Sequence, residues 1–252
     1  DTYKWLGLIK GDRHLFGVEG GYVFLFGADK QGRDVLSRII HGARISLSIG
    51  LVGIAISFFI GIIIGGISGY LGGRVDMVIQ RVIEFIRSIP TLPLWMALSV
   101  ALPPTWSITK VYFGIVIILS LVGWTGLARV VRGKFMSLRE EDFVMAAQLN
   151  GSSESRIIFK HMLPSFYSHI IASLTLSVPG MILGETSLSF IGVGLQAPAI
   201  SWGVLLKDAQ QIRVLAHSPW LLIPGLFVVI AILCFNFVGD GLRDAADPYA
   251  TI

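Results

Sequence analysis

The stretch ISLSIGLVGIAISFFIGIIIGGISGYLGG, residues 45–73, carries no charged side chain. A helix needs about 20 mostly apolar residues to cross the roughly 30 Å hydrocarbon core of a bilayer, so this segment predicts a membrane span. Within it Gly53, Ser57, Gly61, Gly65, Gly69 and Gly73 recur at every fourth residue. On a helix these positions form one slowly winding ridge without side-chain bulk, which predicts a neighbouring helix pressed close to the backbone. The ridge is a packing feature and offers no chemistry.

The rest of the chain is built in the same way. Of 252 residues, 54% are hydrophobic and only 14% charged, with a mean hydropathy of +0.74. Soluble domains carry about 25% charged residues, so this is the composition of an integral membrane protein. Further spans are predicted at residues 76–104, which end in IPTLPLWMALSVALPP, at VYFGIVIILSLVGWTGLA (111–128), at 166–184, and at WLLIPGLFVVIAILCFNFVG (220–239). The expected class is an all-α integral membrane protein with five spanning helices. Alternating strand-like patterning is absent, which disfavours a membrane β-barrel. One more uncharged run, TSLSFIGVGLQAPAISWGVLL (186–206), is interrupted by Gly192, Gly194 and Pro198 and reads as an interfacial or re-entrant segment.

Basic residues orient the spans. Arg74, Arg81 and Arg87 follow the first, and Arg129, Arg132, Lys134, Arg139, Arg156 and Lys160 follow the third, whereas the opposite side carries Lys110, Lys207 and Arg213. The positive-inside bias therefore places the loop after the third span in the cytoplasm, together with the tail DGLRDAADPY (240–249). Residues 1 to about 40 fall outside, despite Lys4, Lys10, Arg13, Lys30, Arg33 and Arg38, and a further spanning helix ahead of Asp1 is expected to set that topology. The expected division is an external arm and interfacial segment (1–42), a transmembrane unit (43–240) with a cytoplasmic loop at about 132–164, and a cytoplasmic tail (241–252). In the arm, Phe16, Tyr22, Phe24 and Phe26 lie close together in sequence, suited to lipid headgroups or to a partner protein.

Several spans are broken: Pro90 and Pro93 interrupt the second, Pro179 with Gly180 the fourth, and Pro224 the fifth. Transporters use such breaks because freed backbone groups can line a polar path. Glu84 and Arg87 enter the second span one turn apart, and Glu185 sits at the far end of the fourth. Intramembrane acids mark function by default, which makes Glu185, Glu84 and Pro179 candidates for a translocation path, with Glu84 and Arg87 also placed to pair or to snorkel.

Catalytic signatures are missing. No GxxxxGK[ST] phosphate loop, HExxH or GxSxG occurs, and His14, His41, His161, His169 and His217 are scattered singly. The single cysteine, Cys234, supports neither an internal disulfide nor a cysteine metal site. No catalytic residue, metal site or cofactor of the chain's own is expected, and the net charge of +4 fits basic cytoplasmic loops without pointing to nucleic acid.

Against this background the polar stretch REEDFVMAAQLNGSSESRIIFKHMLPSF (139–166) stands apart. Residues 139–150 favour helix, with Glu140, Glu141 and Asp142 in the first turn where the helix dipole favours negative charge. Gly151 stands where a left-handed helix-ending residue is wanted. Ser152 or Ser153 can cap a second helix, SESRIIFKHML, which Pro164 is expected to close. Phe143, Ala146, Ala147 and Asn150 share one face of the first helix, small and nearly flat at its centre. Such a surface suits docking into another protein's groove, and equally an amphipathic hairpin lying on the membrane.

The spacing of Ala146, Ala147, Gly151, Leu163 and Pro164 resembles the EAA loop of the permease subunits of ABC importers, with Met145 standing where that family places Glu. The likeness extends along most of the chain. FGADKQGRDVLSRIIHGARISLSIG (26–50) is similar to the FGTDxxGRDxxSRxxxGxRxSL signature of the second permease subunit of dipeptide, oligopeptide and nickel importers. RVIEFIRSIPTLPL (81–94), residues 128–164, GETSLSFIGVGLQAPAISWG (184–203) and FNFVGDGLRDAADPY (235–249) match it in the same order.

The resemblance implies a type I importer transmembrane domain in a bacterial or archaeal cytoplasmic membrane. Its loop would be a coupling helix, with Phe143, Met145, Ala146, Ala147, Asn150, Gly151, Ser152, Leu163 and Pro164 as the residues that seat it on an ATPase. The implied partners are a second homologous permease, two ATP-binding cassette subunits that use ATP and Mg, and an extracytoplasmic substrate-binding protein. Peptide is the expected cargo, with nickel chelates or oligosaccharides as alternatives. A secondary transporter or channel would show inverted repeats, and none is found; a membrane enzyme would need polar groups clustered at one depth, which the histidines do not supply.

Overall fold

The computed structural model describes residues 3–5, 9–11 and 23–245. Phe16, Tyr22 and the last residues of the tail lie outside them. A small antiparallel pairing of Tyr3–Trp5 with Ile9–Gly11 is the one departure from helix among the named elements, a detail the all-α expectation did not include. Then follow α1 (Val35–Leu71), α2 (Gly73–Ser88), α3 (Thr91–Val100), α4 (Ile108–Leu138), α5 (Asp142–Leu149), α6 (Glu154–Arg156), α7 (Tyr167–Ile191), α8 (Trp202–Lys207), α9 (Ile212–His217) and α10 (Ile223–Ala245).

The chain enters α1 through a hydrogen-bonded knot. Asp34 caps the helix, accepting from the amides of Leu36 and Ser37. Asp29 accepts from the backbone of Gln31 and Arg33 at 2.9 Å, from Arg33 Nε at 2.7 Å, and from the buried Arg38. Burial alone would raise the Asp29 carboxyl; the hydrogen bonds from Arg33 and Gln31 and the Arg38 guanidinium outweigh it and hold the group below the ordinary carboxylate range. The same end is closed by Trp220, whose indole N–H donates to Ala28 O at 2.9 Å, and by Phe26 against Phe227.

Among the described residues four helices are long and apolar enough to cross a membrane: α1, α4, α7 from His169, and α10 with its lead-in from Pro219. The second expected span is instead divided. Ile89 is extended (φ −87°, ψ 128°), as a residue before proline prefers, and Pro90 starts the ten-residue α3. The polar α2, with Arg74, Asp76, Arg81, Glu84 and Arg87, is tied back to α4 by Arg132, which clasps Asp76 at 2.5 and 2.6 Å, and to α1 by Ser68 at 2.6 Å.

The fourth span is longer than its expected end at residue 184. It runs on through Glu185 to Ile191 and stops at Gly192, whose φ of +93° suits glycine. The 186–206 run is therefore split: residues 186–191 complete α7, and beyond Gly192 the chain turns back and buries Trp202, Gly203, Val204 and Leu205 of α8, with Trp202 Nε1 donating to Ile39 O at 3.0 Å. That second part packs as a short buried segment, as its Gly and Pro content suggests.

The glycine ridge of α1 faces α4, and the two helices run parallel. Ser57 Oγ donates to Ser120 O at 3.3 Å, and Ser120 Oγ donates to Gly53 O at 3.0 Å. A Cβ on Gly61 would stand 3.0 Å from Leu127, one on Gly65 2.5 Å from Ala128 O, and one on Gly69 2.6 Å from Arg132 O. Gly73 is not part of the ridge: with φ +56° it opens α2, and a Cβ there would meet nothing within 4 Å. Nearer the start of α1, Gly50 receives Val178 and Ile182 of α7.

Replacing Gly65 by Leu sets a side chain against main chain that cannot yield, and is expected to destabilise the protein by about 2–3 kcal/mol. Gly61→Ala, which meets only the Leu127 side chain, should cost under about 1 kcal/mol. Thermal unfolding of the purified protein in detergent distinguishes the two; equal shifts would mean that α1 and α4 are not held backbone to backbone.

Candidate functional site

The polar hairpin forms at the far end of the molecule from Asp29. Its first helix ends as the glycine predicts. Gly151 has φ +72°, its N–H bonds to Gln148 O at 2.9 Å, and the N–H of Ser152 reaches back to Ala147 O at 3.1 Å. This pair of bonds satisfies carbonyls that a helix end leaves open. Asn150 adds its side-chain amide to Ala146 O at 2.9 Å.

The second half differs from the expectation. Only Glu154–Arg156 is α-helical; Ile157–Met162 widens to a π turn, and Leu163–Phe166 tightens to 3-10. Pro164 does not close the helix. It sits in the first turn of the 3-10 segment, where a missing N–H costs little, and the chain leaves helical dihedrals only at Phe166 (φ −135°) before α7 begins. Ser153 takes the N-cap position without a side-chain bond.

The alternating pitch lets one side of the hairpin turn inward at every step. Val144, Ala147, Ile157, Met162, Leu163 and Phe166 are buried with Ile62 of α1 and Val131 and Phe135 of α4. Phe135 and Phe166 meet edge to face, 5.6 Å apart. Ala147 is thus part of the base, whereas Phe143, Met145, Ala146 and Asn150 lie exposed on the outer surface with Pro164. Leu149, which sequence reading passed over, is the most exposed of the large apolar residues, at 89%. Its position beside the turn glycine, facing away from Val144, is the signal that would have found it.

The candidate path residues separate in space. Glu185 is fully buried and lies in a closed cluster: Ser46 donates to its carboxylate at 3.0 Å, Ser189 at 2.8 Å, and Ser201 also bonds it. Each serine oxygen in turn accepts a backbone amide, from Trp202, Leu195 and Val204 respectively. One carboxylate thereby fixes α1, α7 and α8. Glu84 is exposed and pairs with Arg81 at 2.9 Å, not with Arg87. Pro179 is buried within α7.

A cavity of about 320 Å³, lined by none of these three, lies at mid-length of α1, α4 and α7. Ser57, Thr125 and Ser177 contribute hydroxyls, Gly123, Gly126 and Gly180 leave space, and Trp95 forms an apolar wall. Arg87 and Thr91, from the broken α2–α3 segment, complete it. Among the described residues no group of His, Cys, Asp and Glu is placed to hold a metal ion.

Comparison with known proteins places this geometry among relatives. The family described as "Binding-protein-dependent transport system inner membrane component" matches residues 61–251. The oligopeptide transport system permease protein OppC of Haemophilus influenzae is 46% identical over 90% of this chain and 71% of its own length. The dipeptide transport system permease protein DppC of Bacillus subtilis is 40% identical, over 88% and 68%. Among solved structures, the inward-facing MetNI methionine ABC transporter superposes with a TM-score of 0.64 at 16% identity, covering 84% of this chain and 97% of that one, which shows a shared fold.

Glu185→Ala leaves buried serine donors without their acceptor and is expected to destabilise the protein by about 1–3 kcal/mol, with Glu185→Gln intermediate. Detergent-resistant folding followed by tryptophan fluorescence checks this; an Ala variant as stable as the parent would remove the carboxylate from the framework.

Proposed function

Because this chain belongs to the family of binding-protein-dependent transport system inner membrane components, we propose that it is one permease subunit of an ATP-driven importer of short peptides. It forms half of the translocation path in the cytoplasmic membrane with a second, homologous permease. The hairpin at 139–166 and the tail face the cytoplasm, the arm at 1–42 faces outward, and a substrate-binding protein delivers cargo there. ATP and Mg are used by two partner ATPases, and this chain carries no catalytic group.

The observation that carries the coupling role is the two-sidedness of α5. Val144 and Ala147 turn into a core that α5 shares with Ile157 and Met162, with Ile62 of α1 and with Val131 and Phe135 of α4, while Phe143, Met145, Ala146 and Leu149 present an apolar face to the outside. An exposed helix whose base is seated in a core shared with two spanning helices passes a push from its partner to that core as a rigid-body motion. Peptide as cargo is supported by the oligopeptide and dipeptide permeases that are 46% and 40% identical to this chain over the aligned residues.

Ala147→Trp unseats α5 from its base, and Gly151→Val forces a β-branched residue to φ +72° at a cost of about 1–3 kcal/mol. Both are expected to reduce ATP-driven peptide uptake by reconstituted vesicles to background while leaving membrane insertion intact, whereas Met145→Glu on the exposed face should transport normally. Normal uptake with both bulky replacements would reject the coupling role.

A further inference from the structure

The cavity at mid-length of the spans contains a charge that nothing balances. Arg87 is the only ionised side chain lining it, and among the described residues it has no hydrogen-bond or ion-pair partner. Glu84, the nearest acid in sequence, is engaged by Arg81, and Asp76 is engaged by Arg132 and Ser68. Its side chain is exposed at the last turn of α2, so the charge meets the cavity uncommitted to any protein group.

The surroundings favour an anion that brings its own donors. The guanidinium lies beside Gly126, where a Cβ would stand 3.8 Å from Arg87 Nη1, and both residues line the cavity. Three of the four hydroxyls that line the cavity have committed their protons: Ser57 donates to Ser120 O, Thr125 to Val122 O and Ser177 to Ser173 O. Their oxygens therefore meet the cavity as acceptors. A guanidinium is shaped to take a carboxylate through two parallel N–H···O bonds, and hydroxyl acceptors take N–H donors.

We propose that Arg87 is a specificity-determining residue of the transmembrane path, which engages the terminal carboxylate of the peptide as it passes while Ser57, Thr125 and Ser177 receive its N–H groups. The inference rests on the peptide-import reading above. It gives this permease a chemical preference of its own, for cargo with a free carboxylate, set at the junction where Pro90 breaks the helix and swings Arg87 and Thr91 toward α4.

The test uses the complete transporter, with both permeases, ATPases and binding protein, in vesicles. Uptake of a tripeptide with a free C-terminus is compared with uptake of its C-terminally amidated form, each normalised to loading of the binding protein. In Arg87→Gln, uptake of the free-acid peptide is expected to fall about ten- to a hundredfold, as for loss of a charge-assisted pair. The amidated peptide should be carried as by the parent, and Arg87→Lys should recover most of the free-acid uptake. Equal losses for both peptides, or no loss, overturn the proposal while leaving peptide import intact. If Arg87→Gln fails to assemble, Arg87 serves a subunit contact and the proposal falls. A parent complex that carries neither peptide overturns the peptide reading as well.

Discussion

The closest constraint in this molecule is the approach of α1 to α4. Lipid tails are as apolar as leucine side chains, so two spanning helices gain little from hydrophobic burial against each other and must be held by dense packing and polar contacts. Here Gly61, Gly65 and Gly69 remove every side chain that would separate them, and the Ser57–Ser120–Gly53 bonds fix their register. With that register set, Arg132 lands on Asp76, Phe135 reaches Phe166, and Gly123 opposes Ser57 at the edge of the cavity. The base of the hairpin and the wall of the cavity are therefore two consequences of one contact.

A second constraint acts at the opposite end. Glu185 gathers Ser46, Ser189 and Ser201, and these serines hold the amides of Leu195, Trp202 and Val204, which lack helical partners. In a hydrocarbon environment irregular backbone persists only where protein satisfies it. The carboxylate is thus the reason a turn and a short helix can lie buried after α7. It occupies a structural position that an isolated acid in an apolar run does not announce.

Sequence alone carried the features whose cause is local. A four-residue glycine period needs no knowledge of the partner helix to imply close packing, and Gly151 flanked by polar helix-ending residues implies its left-handed turn. Three features required the third dimension. The π and 3-10 pitches at 157–166 arise because Ile157, Met162, Leu163 and Phe166 must all reach one core, a demand that no local propensity encodes. Ala147 and Ala146 are adjacent and identical, and only the position of α4 decides which is buried. Arg87 is one of many basic residues between the apolar runs, and its isolation depends on Arg81 taking Glu84 and Arg132 taking Asp76.

The widened π turn just ahead of Pro164 also has a mechanical meaning. A helix that stopped at the proline would leave the hairpin hinged to α7 by a loose joint. Because the chain keeps a helical path as far as Phe166, with its inner side gripped throughout, hairpin and α7 behave as a cranked shaft. From Ile157 to Ser177 the shaft is about 30 Å long at the usual rise per residue. A small tilt at one end of such a crank is delivered at the other as a sideways sweep, so the cavity wall would change shape without any helix having to slide.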